Sequence, residues 1–526
     1  MAQILREGRH AGLRIDGAVE TSELFFPGHS IVRTRGRPTI VRMQRINSPK
    51  PQRSGSAALI GIFILALAVR VAALAYWQSR ADAEGVLFRF GDSYSYWDAA
   101  RASFDGRSAA ERLRLDSQIF RAPGYPSFLQ LTAWLQSEWA AVLAARLFGC
   151  LLGAYCVCFI YDAAGRFGGR WAAMVAGGLA AVYPGAVGMS VFILSEALFC
   201  PLMLLNLRAA EGLVEILPAS HRLSPRETDP RVRLGRGLAA GILAGFAVLV
   251  KPVWILWPGV IVAYLAAIAL WSSRRGEALR RTFEVAACVV IGFAAVMTPW
   301  WLHNYRLTGR FVPTTLQVGA TLYDSLHEGA SGGSDEDMRF VERFAAELKA
   351  ERVAARAGGS PEGGRSSEGG GAAEAEGAAA MTERPAAFSY ELDRRLKTAA
   401  LSWAAENPSD VLRLALIKFA RTWTPLPQAA QVGGAAIRWS EAVCYVIVVV
   451  LAVFGLASIR RSAAAVYALP LGYFAVIHSV FVGSVRYRQP AVLAACVLAG
   501  LGAAQVIVLW RERKRREATT VNGGRR

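Results

Sequence analysis

The chain has 526 residues, 54% of them hydrophobic yet 19% charged, so its apolar residues must be gathered into blocks, and blocks of that kind are membrane spans. The formal charge of +19 does not call for a nucleic-acid partner, because the arginines stand mostly in short loops and tails between those blocks, where they act as topology signals. All seven cysteines (Cys150, Cys156, Cys158, Cys200, Cys288, Cys444, Cys496) fall inside apolar segments, which excludes a disulfide framework or a thiolate metal site in the polar loops.

Residues 1–56 carry arginine, proline and glycine without a helical apolar period. They fit neither a signal peptide nor a folded domain, and read as a disordered basic cytoplasmic tail. Met43 is a second candidate start, which would leave Arg45 to Arg53 as the tail.

Ten stretches of spanning character follow, at 57–77, 141–163, 171–188, 190–207, 236–250, 253–271, 282–301, 437–459, 463–482 and 489–510. A span needs about 20 apolar residues, because the hydrocarbon core is about 30 Å thick and a helix rises about 1.5 Å per residue. If the ten alternate, the N-tail, Arg166 with Arg170, the loop Arg208 to Arg236, Arg274 with Arg275, Arg460 with Arg461, and Arg511 to Arg516 share one side. The positive-inside rule makes that side cytoplasmic and places both termini there. Pro123 to Gln136 is too short to span and would break this sidedness, so it reads as an interfacial or re-entrant helix.

The expected fold is an all-α polytopic membrane protein of about ten transmembrane helices. Its parts are the tail 1–56, an N-terminal transmembrane catalytic module 57–301 carrying the outer loop 78–140, an outer loop 302–436, C-terminal helices 437–510 and a basic tail 511–526. Within the second loop, 351–385 is rich in Gly, Ala, Ser and Glu and reads as a disordered insertion. Tyr390 to Trp423 returns to apolar residues at three- and four-residue spacing, as in helices lying on the membrane surface.

Several charged residues stand at the outer ends of spans. Asp92 lies among Phe90, Tyr94, Tyr96 and Trp97, where shielding by rings would raise its proton affinity toward that of a general base, although a solvated acid in an aromatic belt has the same local sequence. Arg121 precedes the turn Pro123-Gly124-Tyr125-Pro126, and Glu196 and Lys251 stand at span ends, where snorkelling is the plain alternative. Arg306, Arg486 and Arg488 run against the positive-inside bias, and binding a phosphate at the interface is a reason to keep them on the outer face.

Taken in order, Gly91-Asp92-Ser93-Tyr94, Arg121-Ala122-Pro123-Gly124-Tyr125-Pro126, Ser195-Glu196 after Tyr183-Pro184, Pro299-Trp300 with Asn304-Tyr305, and Arg486-Tyr487-Arg488-Gln489-Pro490 resemble the GT-C glycosyltransferases. Within them the resemblance is to family 39, the protein O-mannosyltransferases and the lipid A aminoarabinose and galacturonic acid transferases. It implies a polyprenyl-phosphate-linked sugar donor, a glycan, lipid or protein hydroxyl acceptor, inversion at the anomeric carbon, and a multi-pass protein of the cell membrane with its active site on the outer face. It also implies Asp92 as the catalytic base, with Arg121, Tyr125, Lys251, Asn304, Arg306, Arg486 and Arg488 at the donor phosphate; Tyr94, Glu196 and His303 are further candidates. Two positions depart from the family pattern: Ser93 stands where many relatives have a second acid, and His303 where relatives often have arginine. Some members of the superfamily bind a divalent metal, but no His or carboxylate cluster in the sequence requires one. The competing class is a transporter or lipid flippase, against which stand the absence of a visible internal repeat and the gathering of polar residues at one face.

Overall fold

The computed structural model describes residues 25–26, 29–34, 37–41, 56–102, 117–216, 229–335, 338–358, 386–427, 434–459 and 462–523. The chain forms two compact units, Met1–Gln52 and Arg53–Arg526. The first contains three antiparallel strands in the order β1-β2-β3: β1 (Phe25–Phe26), β2 (His29–Thr34) and β3 (Arg37–Val41). Ile31 pairs with Ile40 and Val32 with Thr39. The expectation of a tail without structure fails over this stretch, where β-branched residues supply the extended preference that the missing helical period had left open. The rest of that tail lies outside the described residues.

The second unit is helical. It runs through α1 (Ser56–Glu84), α2 (Gly91–Arg101), α3 (Ser117–Phe120), α4 (Gly124–Ala133), α5 (Glu138–Val182), α6 (Pro184–Val191), α7 (Glu196–Glu215) and α8 (Pro230–Val250). There follow α9 (Trp257–Leu270), α10 (Arg275–Thr308), α11 (Val318–Ser325), α12 (Arg339–Gly358), α13 (Ala387–Glu406), α14 (Pro408–Trp423), α15 (Ala435–Ala457), α16 (Ser462–Ala465), α17 (Leu469–Val480) and α18 (Val485–Gly523).

Among the described residues nine helical stretches are long and apolar enough to cross a membrane, where the sequence led us to expect ten spans. The difference lies in α5, whose 45 residues bend back at Gly169, with φ 74° and ψ −166°. Residues equally far before and after this glycine face each other: a Cβ on Gly177 would lie 3.0 Å from the Tyr161 ring, and Ser190 of α6 sits against Gly149 and Gly153. The expected spans 141–163 and 171–188 are thus two legs of one hairpin, and the second leg continues past the Tyr183–Pro184 break into α6. The next boundary also moves, since α7 begins only at Glu196 instead of at 190.

The hairpin sets which end of the bundle each residue reaches. Arg166, just before the bend, donates to Glu211 near the end of α7, and Tyr467 donates to the same carboxylate at 2.8 Å. Glu196 stands at the other end of α7, about 22 Å away at 1.5 Å per residue. Close packing between α15 and α18 depends on small residues, because a methyl group on Gly455 would collide with the Leu498 carbonyl.

The two long connections carry the short helices. At ten residues α4 is too short to span, about 15 Å of helix. The 351–385 insertion needs a correction: residues up to Gly358 belong to α12, where a run of good helix formers extends the amphipathic pattern. Its remaining part, 359–385, lies outside the described residues.

Candidate functional site

α2 begins directly after the aromatic approach of Phe88 to Phe90 and puts Asp92 in its first turn. Pro123 and Gly124 start α4 and leave Arg121 just before it, while Pro252 ends α8 at Lys251. Glu196 opens α7, and Arg486 is the second residue of α18. These five ends converge.

Asp92 accepts from Arg121 Nη2 at 2.5 Å through Oδ1 and from Arg486 Nη1 at 2.6 Å through Oδ2. The same Arg486 donates Nε to Glu196 Oε1 at 2.9 Å and Nη2 to Oε2 at 3.2 Å, and Lys251 Nζ reaches Glu196 Oε1 at 3.0 Å. Glu196 is fully buried, whereas 28% of the Asp92 side chain is exposed, so the cluster opens toward solvent on the Asp92 side. Two arginines and a lysine face two carboxylates, which leaves one positive charge uncompensated within the cluster.

Arg121 is locked by further contacts. Its Nε donates to Ser95 Oγ at 3.1 Å, its Nη1 to Gln317 Oε1 at 3.3 Å, and its guanidinium lies 4.7 Å above the Tyr96 ring. Lys251 lies 5.8 Å and Arg486 5.9 Å from the Tyr487 ring.

Burial pushes the Asp92 carboxyl up, but Arg486 and Arg121 outweigh it and hold the group well below the usual carboxylate range. The expected rise in basicity is therefore reversed. Ring shielding is also weaker than expected, because Tyr94 is 66% exposed, Tyr96 packs beneath Arg121, and the Trp97 indole donates to Glu138.

Of the residues singled out in the sequence, Asp92, Arg121, Glu196, Lys251 and Arg486 come together. Tyr125 lies behind them, edge-on to Tyr96 at 5.1 Å. Arg488 does not join: it is fully buried, donates to the carbonyls of Thr422 and Thr424, and lies 3.6 Å from the Tyr445 ring centre. Asn304 is buried and donates to the carbonyls of Val312 at 3.0 Å and Thr314 at 3.3 Å, fixing the turn after α10. His303 stacks on Trp300 at 5.2 Å, and Arg306 is on an exposed face of α10. The contacts of Asn304 and Arg488 thus lie outside the cluster.

Ser95 and Gln317 were missed. Ser95 stands one helical turn after Asp92, a spacing the sequence did offer. Gln317 carries no local signal, since it reaches Arg121 across 196 positions. Both oxygens of Asp92 and of Glu196 are engaged by cations, and the described residues contain no group of three or more His, Cys, Asp or Glu suited to a metal ion. This arrangement can grip an anion and keep a carboxylate beside it.

Residues 123–312 match the sequence profile of the family described as dolichyl-phosphate-mannose-protein mannosyltransferase, so the resemblance carried by the motifs is a match over that segment. No curated protein matches the chain. Among solved structures it is similar to the archaeal oligosaccharyltransferase AglB from Archaeoglobus fulgidus in complex with an inhibitory peptide and a dolichol-phosphate, at 11% identity and a TM-score of 0.46. That alignment covers 88% of this chain and 52% of the other, so the chain spans about half the length of that enzyme. It is also similar to ArnT from Cupriavidus metallidurans bound to undecaprenyl phosphate, at 16% identity and a TM-score of 0.36, covering 86% of this chain and 78% of the other.

Proposed function

We propose that this chain is a membrane glycosyltransferase that transfers a sugar from a polyprenyl-phosphate-linked donor to a hydroxyl acceptor, on the outer face of the membrane and with inversion. The observation that carries this reading is the joining of Asp92, Arg486 and Glu196 from the first long loop, the last span and α7, with Lys251 and Arg121 beside them. The family match over 123–312 supports it.

In the proposed reaction the acceptor oxygen attacks the anomeric carbon while the carbon–oxygen bond to the phosphate breaks. The bonding electrons leave with the lipid phosphate, which passes from a singly charged diester to a more highly charged monoester. Charge therefore grows where Arg486, Lys251 and Arg121 can meet it, and no general acid is needed. The acceptor proton goes to Asp92. A single displacement gives inversion.

The depressed proton affinity of Asp92 fits this scheme once the donor is considered. An arriving phosphate competes for the N–H groups of Arg486, and each one it takes removes a charge-assisted bond from Asp92. The carboxylate then becomes a stronger base only when the donor is in place. The basic loops at the far end of the bundle, including Arg166 and Arg208 around Glu211, support the outer face for this site.

The experiment is sugar transfer by the purified chain in lipid, with polyprenyl-phosphate sugars as donors and Asp92→Asn as the control. Failure of every such donor to bind or react would remove the reading.

A further inference from the structure

The turn that presents Arg486 is held by a helix of the second long loop as well as by the spans. α17 ends at Val480, and Phe481 to Ser484 lead into α18. The last carbonyls of a helix lack intrahelical partners and carry partial negative charge. Here the Val480 carbonyl accepts from Lys418 Nζ at 3.0 Å and from Ser325 Oγ at 2.6 Å, and Lys418 Nζ also donates to Ser325 Oγ at 2.6 Å.

Two further grips secure the same turn. Gly483 donates its N–H to the Gly332 carbonyl at 3.0 Å and lies so near the Lys418 backbone that a Cβ would stand 2.5 Å from that carbonyl oxygen. Past Arg486, Arg488 donates to the carbonyls of Thr422 and Thr424, at and just beyond the end of α14. The stretch from Val480 to Arg488 is thus fastened at its start, middle and end by α14 and its neighbours.

Lys418 is fully buried, and the acid that attracts it, Asp324, has its own oxygens on Ser334 Oγ at 3.1 Å and the Asp335 N–H at 3.0 Å. An uncharged side chain would fill the space without the cost of desolvating an ammonium. A cation belongs there for what it binds.

We propose that Lys418 is a positioning residue for Arg486: its ammonium, with Ser325, clasps the C-terminal carbonyl of α17 and sets the turn from which Arg486 reaches Asp92 and Glu196. The proposal takes its activity readout from the function proposed above, but its structural readout is independent of that reading.

The test uses the full chain in lipid, with Lys418→Met and Arg486→Ala singly and together. Amide exchange over Phe481 to Tyr487 should speed up by about tenfold or more in Lys418→Met while α5 stays protected. Affinity for a polyprenyl-phosphate sugar should fall by about tenfold in Lys418→Met, yet by less than about twofold when Arg486 is already Ala, since residues acting through one contact are not additive. Unchanged exchange, or an equal loss of affinity in both backgrounds, overturns the proposal. Should Lys418→Met fail to fold, Ser325→Ala carries the same two measurements with an expected loss of about threefold. If the wild-type chain binds no such donor, the proposed function has failed, and the exchange measurement alone decides the role of Lys418.

Discussion

Arg486 and Asp92 are joined at 2.6 Å across 394 positions of sequence, and the other edge of the same guanidinium holds Glu196. Replacing Arg486 with Ala takes charge-assisted hydrogen bonds from both carboxylates while leaving Arg121 on Asp92 and Lys251 on Glu196, and each lost bond of this kind is worth roughly 1.5–3 kcal/mol. We expect Arg486→Ala to lower thermal stability and to weaken donor binding. Arg486→Lys should recover only part, because an ammonium lacks the planar fork that serves two carboxylates at once. Isothermal binding of a polyprenyl-phosphate sugar, alongside unfolding in detergent, measures both; wild-type saturation by Arg486→Ala would move the phosphate site elsewhere.

Asp92→Asn keeps the size of the side chain but cannot accept a proton. Turnover should fall by about 10² to 10⁴, the usual contribution of general-base catalysis, while donor binding survives. Glu196→Gln is the comparison. Near-normal turnover by Asp92→Asn would refute the base assignment.

The arginines also set a pH dependence. Because the folded-state proton affinity of Asp92 is depressed, its contribution to stability is fully present above its unfolded value of about 3.9 and is lost as the pH falls from there toward the folded value. Unfolding of the donor-free protein should therefore become easier below about pH 4, and Asp92→Asn should flatten that decline. An identical acid limb in the variant would assign the loss to other carboxylates.

Arg488 has a different consequence from Arg486. It stands 3.8 Å from Glu441, which also accepts from Tyr183 at 2.7 Å and Gln489 at 2.8 Å. Arg488→Ala should cost stability, on the order of 3 kcal/mol, and lower the donor affinity of the folded fraction only through the turn it fastens, by less than Arg486→Ala does. A tenfold or greater loss of affinity with unchanged unfolding would return Arg488 to the donor site.

These two arginines also show what the sequence could and could not tell. Charged residues at the ends of apolar stretches stand out by composition, and Asp92, Glu196, Lys251 and Arg486 were all visible for that reason. Two residues apart on a helix point roughly 200° away from each other, so Arg486 and Arg488 could not both face one phosphate, and the pattern alone does not say which one does. The depressed proton affinity of Asp92 was not legible, since its cause lies in partners from distant segments. The hairpin was partly legible: Gly168-Gly169 stands between Arg166 and Arg170, and a glycine pair flanked by cations marks a bend outside the apolar layer, but the continuity of its helical legs does not show in composition.

The position of Arg486 has a consequence for biogenesis. It enters with the last crossing, long after Asp92 and Glu196 have left the ribosome. Until α18 inserts, both acids lack their shared guanidinium, and Asp92 has only Arg121, and Glu196 only Lys251, of the cluster's cations to pair with. Prematurely terminated chains would reach the membrane without the Asp92–Arg486–Glu196 bridge, so insertion of the final helix is also the step that completes the charged cluster.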